Sequence, residues 1–284
     1  MDAQISADWF RLGGGPDAYV AVPRGRDPVG AVVTGSEMFG FTGHTRAVCD
    51  RLAGAGYAVV APDFYWRDTR RPVLGYDDAG RAEARRLMGR LRRDDVLADV
   101  DAALTEASTR AGRGGAAVVG LSMVGHIAVL AATRFPLDLA VTFYGGWTLH
   151  GGIALAEPPP LDEAEKITAF VLGFVGGRDF LISGDEWRDV DERLTAAGVP
   201  HAPVWNYADL FSHPQTAERG LQLTVRDPQG RPVDLIGSPF HITGAKLPPP
   251  SAPPALGQDT DRVLKELLGL DAERVAELHR QGVI

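Results

Sequence analysis

Val118-Val119-Gly120-Leu121-Ser122-Met123-Val124-Gly125-His126 decides the fold of this chain. It reads as a buried strand that turns sharply into a helix, with a serine at the turn. The strand side, 116–119, is a short apolar run after Gly114-Gly115, and the helix side, 127–133, is rich in Ala, Leu and Val. Such a turn lifts the serine hydroxyl to the top of the sheet. It also points the next backbone N–H to where an oxyanion would form. The G-x-S-x-G form of the motif wants Gly at position 124, where this chain has Val124 and then Gly125. A β-branched residue there crowds the helix–strand crossing unless its neighbours are small. A plain strand–helix turn with a bystander serine has the same letters, so the motif alone leaves both readings open.

Outward from the elbow, strand and helix signals alternate. Strands are predicted at 18–22, 30–33, 57–61, 140–144 and 170–175. A helix is predicted at 45–55, with Val48, Leu52 and Ala55 on one face and Gly56 closing it. The stretch 77–107 reads as helical throughout, as one helix or two. Thr34-Gly35-Ser36-Glu37-Met38-Phe39-Gly40 is a Gly-punctuated loop, and 64–76 is a long loop with three arginines and Trp66. Repeated βαβ units imply an α/β fold: a mainly parallel sheet with helices on both faces. Functional residues gather at the carboxyl ends of such strands. Glu37, Ser122 and Asp179, the last in Gly176-Gly177-Arg178-Asp179, all fall there.

Bulk properties exclude more than they assign. The length of 284 residues suits one large α/β domain or two small ones. A formal net charge of −8 argues against a nucleic-acid surface. The single cysteine, Cys49, excludes an internal disulfide and a Cys-rich metal site. No apolar run approaches a membrane span. The opening MDAQISADWF has no basic region followed by an apolar stretch, so no signal peptide is expected and the cytoplasm is the default location. Gly13-Gly14-Gly15 lacks the helix that a phosphate loop needs.

Residues 18–183 resemble the dienelactone hydrolase family of α/β-hydrolases. Ser36-Glu37-Met38-Phe39-Gly40 resembles that family's His-Glu-Ile-Phe-Gly loop, and Gly56-Tyr57-Ala58-Val59-Val60-Ala61-Pro62-Asp63-Phe64-Tyr65 its G-Y-x-V-x-x-P-D-L-Y stretch. Gly120 to Gly125 stands where the family has G-x-C-x-G-G, with Ser122 in place of the usual cysteine. The resemblance implies hydrolysis of an ester or lactone of a small carboxylate-containing molecule, with no metal or organic cofactor. It implies Ser122 as nucleophile, Asp179 as the acid, and Glu37 in contact with the resting nucleophile. The N–H groups of Met38 and Met123 would form the oxyanion hole. Arg81 is the match to the arginine that binds the substrate carboxylate, with a solvated helix face as the alternative. Tyr65, Trp66 and Tyr144 follow strand ends and would line the pocket. A non-hydrolytic pocket protein on the same fold, which binds, cyclises or isomerises its ligand, is the rival.

A serine needs a base beside it. The family supplies a histidine in a loop after one further strand, in Gly-His-Gly-Phe. Here the chain reads Tyr207-Ala208-Asp209-Leu210-Phe211-Ser212-His213-Pro214, without the glycines. His213 completes the order Ser…Asp…His; His201, His126 and His150 are the substitutes. From about Trp187 the chain also resembles the end of a family III CoA-transferase, in Ala197-Gly198-Val199-Pro200-His201-Ala202-Pro203-Val204, Leu235-Ile236-Gly237-Ser238-Pro239-Phe240 and Leu256-Gly257-Gln258-Asp259-Thr260-Asp261. The expected division is a hydrolase domain over 1–215 and a transferase-like tail over 216–284. That tail reads as a hairpin around Pro228-Gln229-Gly230, a Pro-rich linker at 246–254, and short helices at 259–268 and 271–281 with Asp271 as N-cap. Val263, Leu264, Leu267 and Leu268 form an apolar face that packs on its own domain or joins two copies into a homodimer.

Overall fold

A computed structural model describes residues 4–151, 153–176, 178–179, 182–202, 205–227, 229–238 and 250–284. They form two compact units, Met1–Ala202 and Pro203–Ile284. Residues 205–215, placed with the hydrolase part in the sequence reading, cluster with the second unit.

The first unit is built on a seven-stranded sheet of order β1-β2-β4-β3-β5-β6-β7. Its strands are β1 (Ile5–Arg11), β2 (Asp17–Pro23), β3 (Ala31–Val33), β4 (Ala58–Pro62), β5 (Ala116–Leu121), β6 (Leu139–Phe143) and β7 (Phe170–Phe174). β1 and β2 are antiparallel to their neighbours, and β3 to β7 run parallel. β4 is buried at every position, as a strand covered on both faces must be. Its alternate side chains feed two cores. Val60, with Val20, Val33 and Val118, meets α3 (Arg93–Ala111) and α4 (Met123–Ala132). Val59 and Ala61, with Val32 and Ala21, meet Cys49 and Ala53 of α1 (Gly43–Ala55).

Local sequence explains the helix ends. Gly56 closes α1 at φ 115°, donating to the carbonyls of Ala53 and Leu52. The predicted helical stretch 77–107 is two helices, α2 (Asp78–Met88) and α3, separated at Gly89–Arg92. Asp77 caps α2 by accepting from the Gly80 N–H at 2.8 Å.

In the first unit a strand and an α-helix escaped the sequence reading. β1 is a half-exposed edge strand, and its Ser6 and Asp8 are poor strand formers. α5 (Gly184–Ala196) follows Ser183, whose side chain accepts from the Glu186 N–H; Ser-x-x-Glu is a capping signature that was there to be read.

In the second unit, α6 (Tyr207–Ser212) and α7 (Pro214–Glu218) precede an antiparallel hairpin of β8 (Gln222–Arg226) and β9 (Pro232–Ile236). Where the family has a strand ending in tyrosine, Asn206 starts a helix: its side chain accepts from the N–H groups of Ala208 and Asp209, and Asp209 returns a bond to the Asn206 N–H. Helices α8 (Thr260–Glu266) and α9 (Ala272–Arg280) follow, with Asp271 capping α9 as expected. Residues 246–249 of the expected linker lie outside the described residues, and 250–254 form no helix or strand.

Candidate active site

Ser122 sits between β5 and α4 with φ 54° and ψ −117°, a backbone state that costs a non-glycine residue free energy. Its N–H donates to the Phe143 carbonyl at 2.9 Å, and its carbonyl accepts from the His126 N–H at 3.1 Å. Glycines make the turn tight. A Cβ on Gly120 would lie 1.9 Å from the Val124 oxygen, and one on Gly145 would lie 2.5 Å from the Gly125 carbonyl carbon. Val124 is accommodated because its neighbour is small: a Cβ on Gly35 would come within 3.1 Å of the Val124 methyl. The crowding expected from a β-branched residue is relieved by a glycine of the first loop.

Five more candidates gather around the elbow. Glu37 Oε1 accepts from the Tyr144 hydroxyl at 3.0 Å. Tyr144 follows β6, one residue past the carbonyl that holds Ser122, and has φ 44°. Its phenol is pushed up to about 12, first by burial and then by the charge of Glu37. The Tyr65 hydroxyl donates to the Met38 carbonyl at 3.1 Å and lies 3.4 Å from the Met123 sulfur. Among the described residues, neither the Met38 nor the Met123 N–H has an acceptor.

The remaining candidates are placed differently. The Trp66 indole donates to Asp99 of α3 at 3.2 Å, and Arg67 pairs with the same carboxylate. Arg81 donates through Nε to the Tyr76 carbonyl at 2.9 Å. Asp179, beyond β7, accepts from the Ile182 N–H at 3.1 Å. His213 belongs to the second unit and caps α7, where its Nδ1 accepts from the Gln215 N–H at 3.2 Å. Of the substitutes, His201 faces Asp191 and the Val199 carbonyl, and His150 is exposed. His126 is fully buried behind the elbow, with Nδ1 3.1 Å from the Gly146 carbonyl oxygen. No three His, Cys, Asp or Glu side chains converge as a metal site among the described residues, and no described helix is long and apolar enough to cross a membrane.

The dienelactone hydrolase family model matches residues 17–210. The chain belongs to the dienelactone hydrolase family. With that membership it is an enzyme of the carboxylic ester and lactone hydrolase class. A relative from Escherichia coli (strain K12), named "Putative carboxymethylenebutenolidase", is 32% identical over 225 residues, which are 72% of this chain and 79% of that protein. A solved structure titled as a putative dienelactone hydrolase from Klebsiella pneumoniae superposes with a TM-score of 0.61 at 29% identity, covering 76% of this chain and 95% of that one. The CoA-transferase family III model matches residues 180–260 and overlaps the first match. The human succinyl-CoA:glutarate CoA-transferase is 32% identical over 88 residues, 31% of this chain but 20% of that protein.

Two residues of this dienelactone hydrolase family member were not singled out in its sequence. Asp63, at the end of β4, is buried and accepts from the N–H groups of Tyr65 at 3.0 Å and Arg71 at 2.6 Å. It clamps the loop that carries Tyr65. Burial pushes its carboxyl up to about 6 against the pull of those two donors. Tyr76 packs its ring on Phe39 at 4.6 Å. Its position one residue before the helix cap Asp77 was the available signal.

Proposed function

We propose that Ser122 is the nucleophile in hydrolysis of an ester or lactone of a small, carboxylate-bearing molecule. The observation that carries this reading is the strained backbone of Ser122 at the strand–helix turn, together with the Met38 and Met123 N–H groups, for which no acceptor is found among the described residues. In this reading Ser122 Oγ attacks the carbonyl carbon, and the Met38 and Met123 N–H groups take up the negative charge on its oxygen. His213, oriented by Asp179, accepts the hydroxyl proton and returns it to the leaving oxygen, which departs from an acyl-enzyme. Water then repeats the sequence and releases the acid. Glu37, held by Tyr144, lies beside the resting nucleophile. Arg81 meets the substrate carboxylate, and Tyr65, Trp66 and Tyr144 contribute apolar surface. No step calls for a metal or organic cofactor.

One observation favours a second reading, a pocket protein without turnover. A histidine whose Nδ1 accepts from the Gln215 N–H carries its proton on Nε2, so it has no lone pair left to act as a base. Turnover requires His213 to give up that cap. Labelling the full chain with a fluorophosphonate, mapped by mass spectrometry, separates the readings. An adduct on Ser122 that disappears in His213→Ala supports the hydrolase; an unlabelled Ser122 favours the second reading.

A further inference from the structure

We infer that Tyr76 is a specificity-determining residue that, with Phe39 and Tyr144, selects an aromatic ring flanking the scissile ester. The inference rests on the reading of Ser122 as nucleophile and adds the substrate class. Large aromatic side chains are ordinarily drawn into cores, and a group of them left open beside a candidate nucleophile marks a binding surface. Tyr76 is 54% exposed and Tyr144 36%. The Phe39 and Tyr76 rings lie 4.6 Å apart at 52°. The Tyr144 hydroxyl reaches Glu37, two residues before Phe39, so Tyr144 and the Phe39–Tyr76 pair meet the same loop.

These rings are fixed from below. Tyr144 is held through its hydroxyl by Glu37, and its N–H is bonded to the Phe174 carbonyl. The Tyr76 carbonyl is held by Arg81, and the next residue, Asp77, caps α2. Phe39 donates no side-chain hydrogen bond, but its carbonyl accepts from the Leu74 N–H at 2.9 Å, tying the two rim loops together. An immobilised aromatic surface loses little freedom when a flat ligand lands on it, and a ring satisfies its edge and face preferences better than a saturated group does.

The test compares kcat/KM for phenyl acetate and 2,2,2-trifluoroethyl acetate in the full-length protein. Intrinsic reactivity cancels when each variant's ratio is divided by that of the wild type. Tyr76→Ala is expected to lower the phenyl-to-trifluoroethyl ratio about tenfold, and Tyr76→Phe, which keeps the ring, to hold it within about twofold. A ratio that stays within twofold in Tyr76→Ala overturns the inference, as does an equal fall in Tyr76→Phe. Binding of 2-naphthol to Ser122→Ala keeps the rim testable apart from chemistry. Adding Tyr76→Ala should raise its Kd about tenfold, and an unchanged Kd sinks the rim. Absence of fluorophosphonate label on Ser122 in the wild type would overturn the nucleophile reading alone, leaving the naphthol result to decide Tyr76.

Discussion

The two compact units differ in what holds their side chains in place. In the first, two apolar clusters cover both faces of the sheet, and every residue of α4 is buried. In the second, among the described residues from 205 onward, only Thr216, Gly237 and Val275 are buried. That unit is organised by local hydrogen bonds: the Asn206 capping box, the His213 cap, and Asp227 accepting from the N–H groups of Gln229 and Arg231. Each such cap contributes on the order of 1 kcal/mol, whereas burying one large apolar side chain contributes about 1.5–3 kcal/mol. Ser122 and Glu37 are therefore positioned by long-range packing, and His213 by its immediate neighbours.

The sharpest way to break that comparison is catalytic. Ser122→Ala is expected to lower ester hydrolysis by about 10⁴-fold or more, and His213→Ala by a similar factor, since members of a triad act as a unit. Hydrolysis rates of a reactive ester in both variants check this; near-normal turnover in His213→Ala would confine the chemistry to the first unit. Glycine substitutions come next. A Cβ on Gly145 would lie 2.4 Å from Thr142 Oγ1 and 2.7 Å from the His126 N, so Gly145→Ala should cost roughly 3 kcal/mol or more in urea unfolding. Gly230 has φ 83° and open space around its missing Cβ, so Gly230→Ala should cost only about 1 kcal/mol.

Acid titration probes the rigid unit from inside. Burial pushes the His126 imidazole down to about 4; the Gly146 and Leu155 backbones favour its charged form, although Nε2 has no hydrogen-bond partner among the described residues. A depressed pKa means that the folded state resists protonation. The stability it contributes is present above about 6.5 and is lost as pH falls toward 4. Asp63 has the opposite sign: with its carboxyl raised to about 6, its contribution is present below about 3.8 and is lost as pH rises through 6. Each spans up to about 3 kcal/mol, so the two offset each other between pH 4 and 6. In Asp63→Asn the acid-side loss from His126 should emerge as a steeper fall of unfolding free energy below pH 6.5. An unchanged slope in that variant would show that the titrations are not the ones named.

Much of the first unit was legible because its signals are local. Short β-branched runs such as Ala58–Pro62 and the Gly56 stop need no knowledge of the rest of the chain. The elbow was legible for the same reason: Gly120, Ser122 and Gly125 act within one turn. What could not be read depends on segments meeting at the sheet edge. Glu37 meets Tyr144, Phe39 meets Tyr76, and Val124 finds its room at Gly35 only after β3, β5 and β6 are side by side. The stretch before His213 departs from the family's pattern for a different reason. Asn206 and Asp209 form a reciprocal cap whose local hydrogen bonds favour a helix start over the family's strand.

A matched pair of substitutions sharpens the comparison most directly, because the same chemical change is made in both units. Val100 in α3 and Val275 in α9 are both buried, at 0% and 2% exposure. Val→Ala removes two methyl groups in each case. Around Val100 the neighbours are themselves buried and cannot follow the lost volume, so the cavity term adds to the transfer term and the cost should reach about 2.5 kcal/mol. α9 has only Val275 buried along its length, and the surrounding side chains keep contact with water. They can close over the gap, so Val275→Ala should cost about 1 kcal/mol. Urea unfolding reads the first, and native-state amide exchange along α9 reads the second. Equal costs would mean that the second unit has a tighter core than its burial suggests, and the contrast between a packed first unit and a locally held second unit would have to be withdrawn.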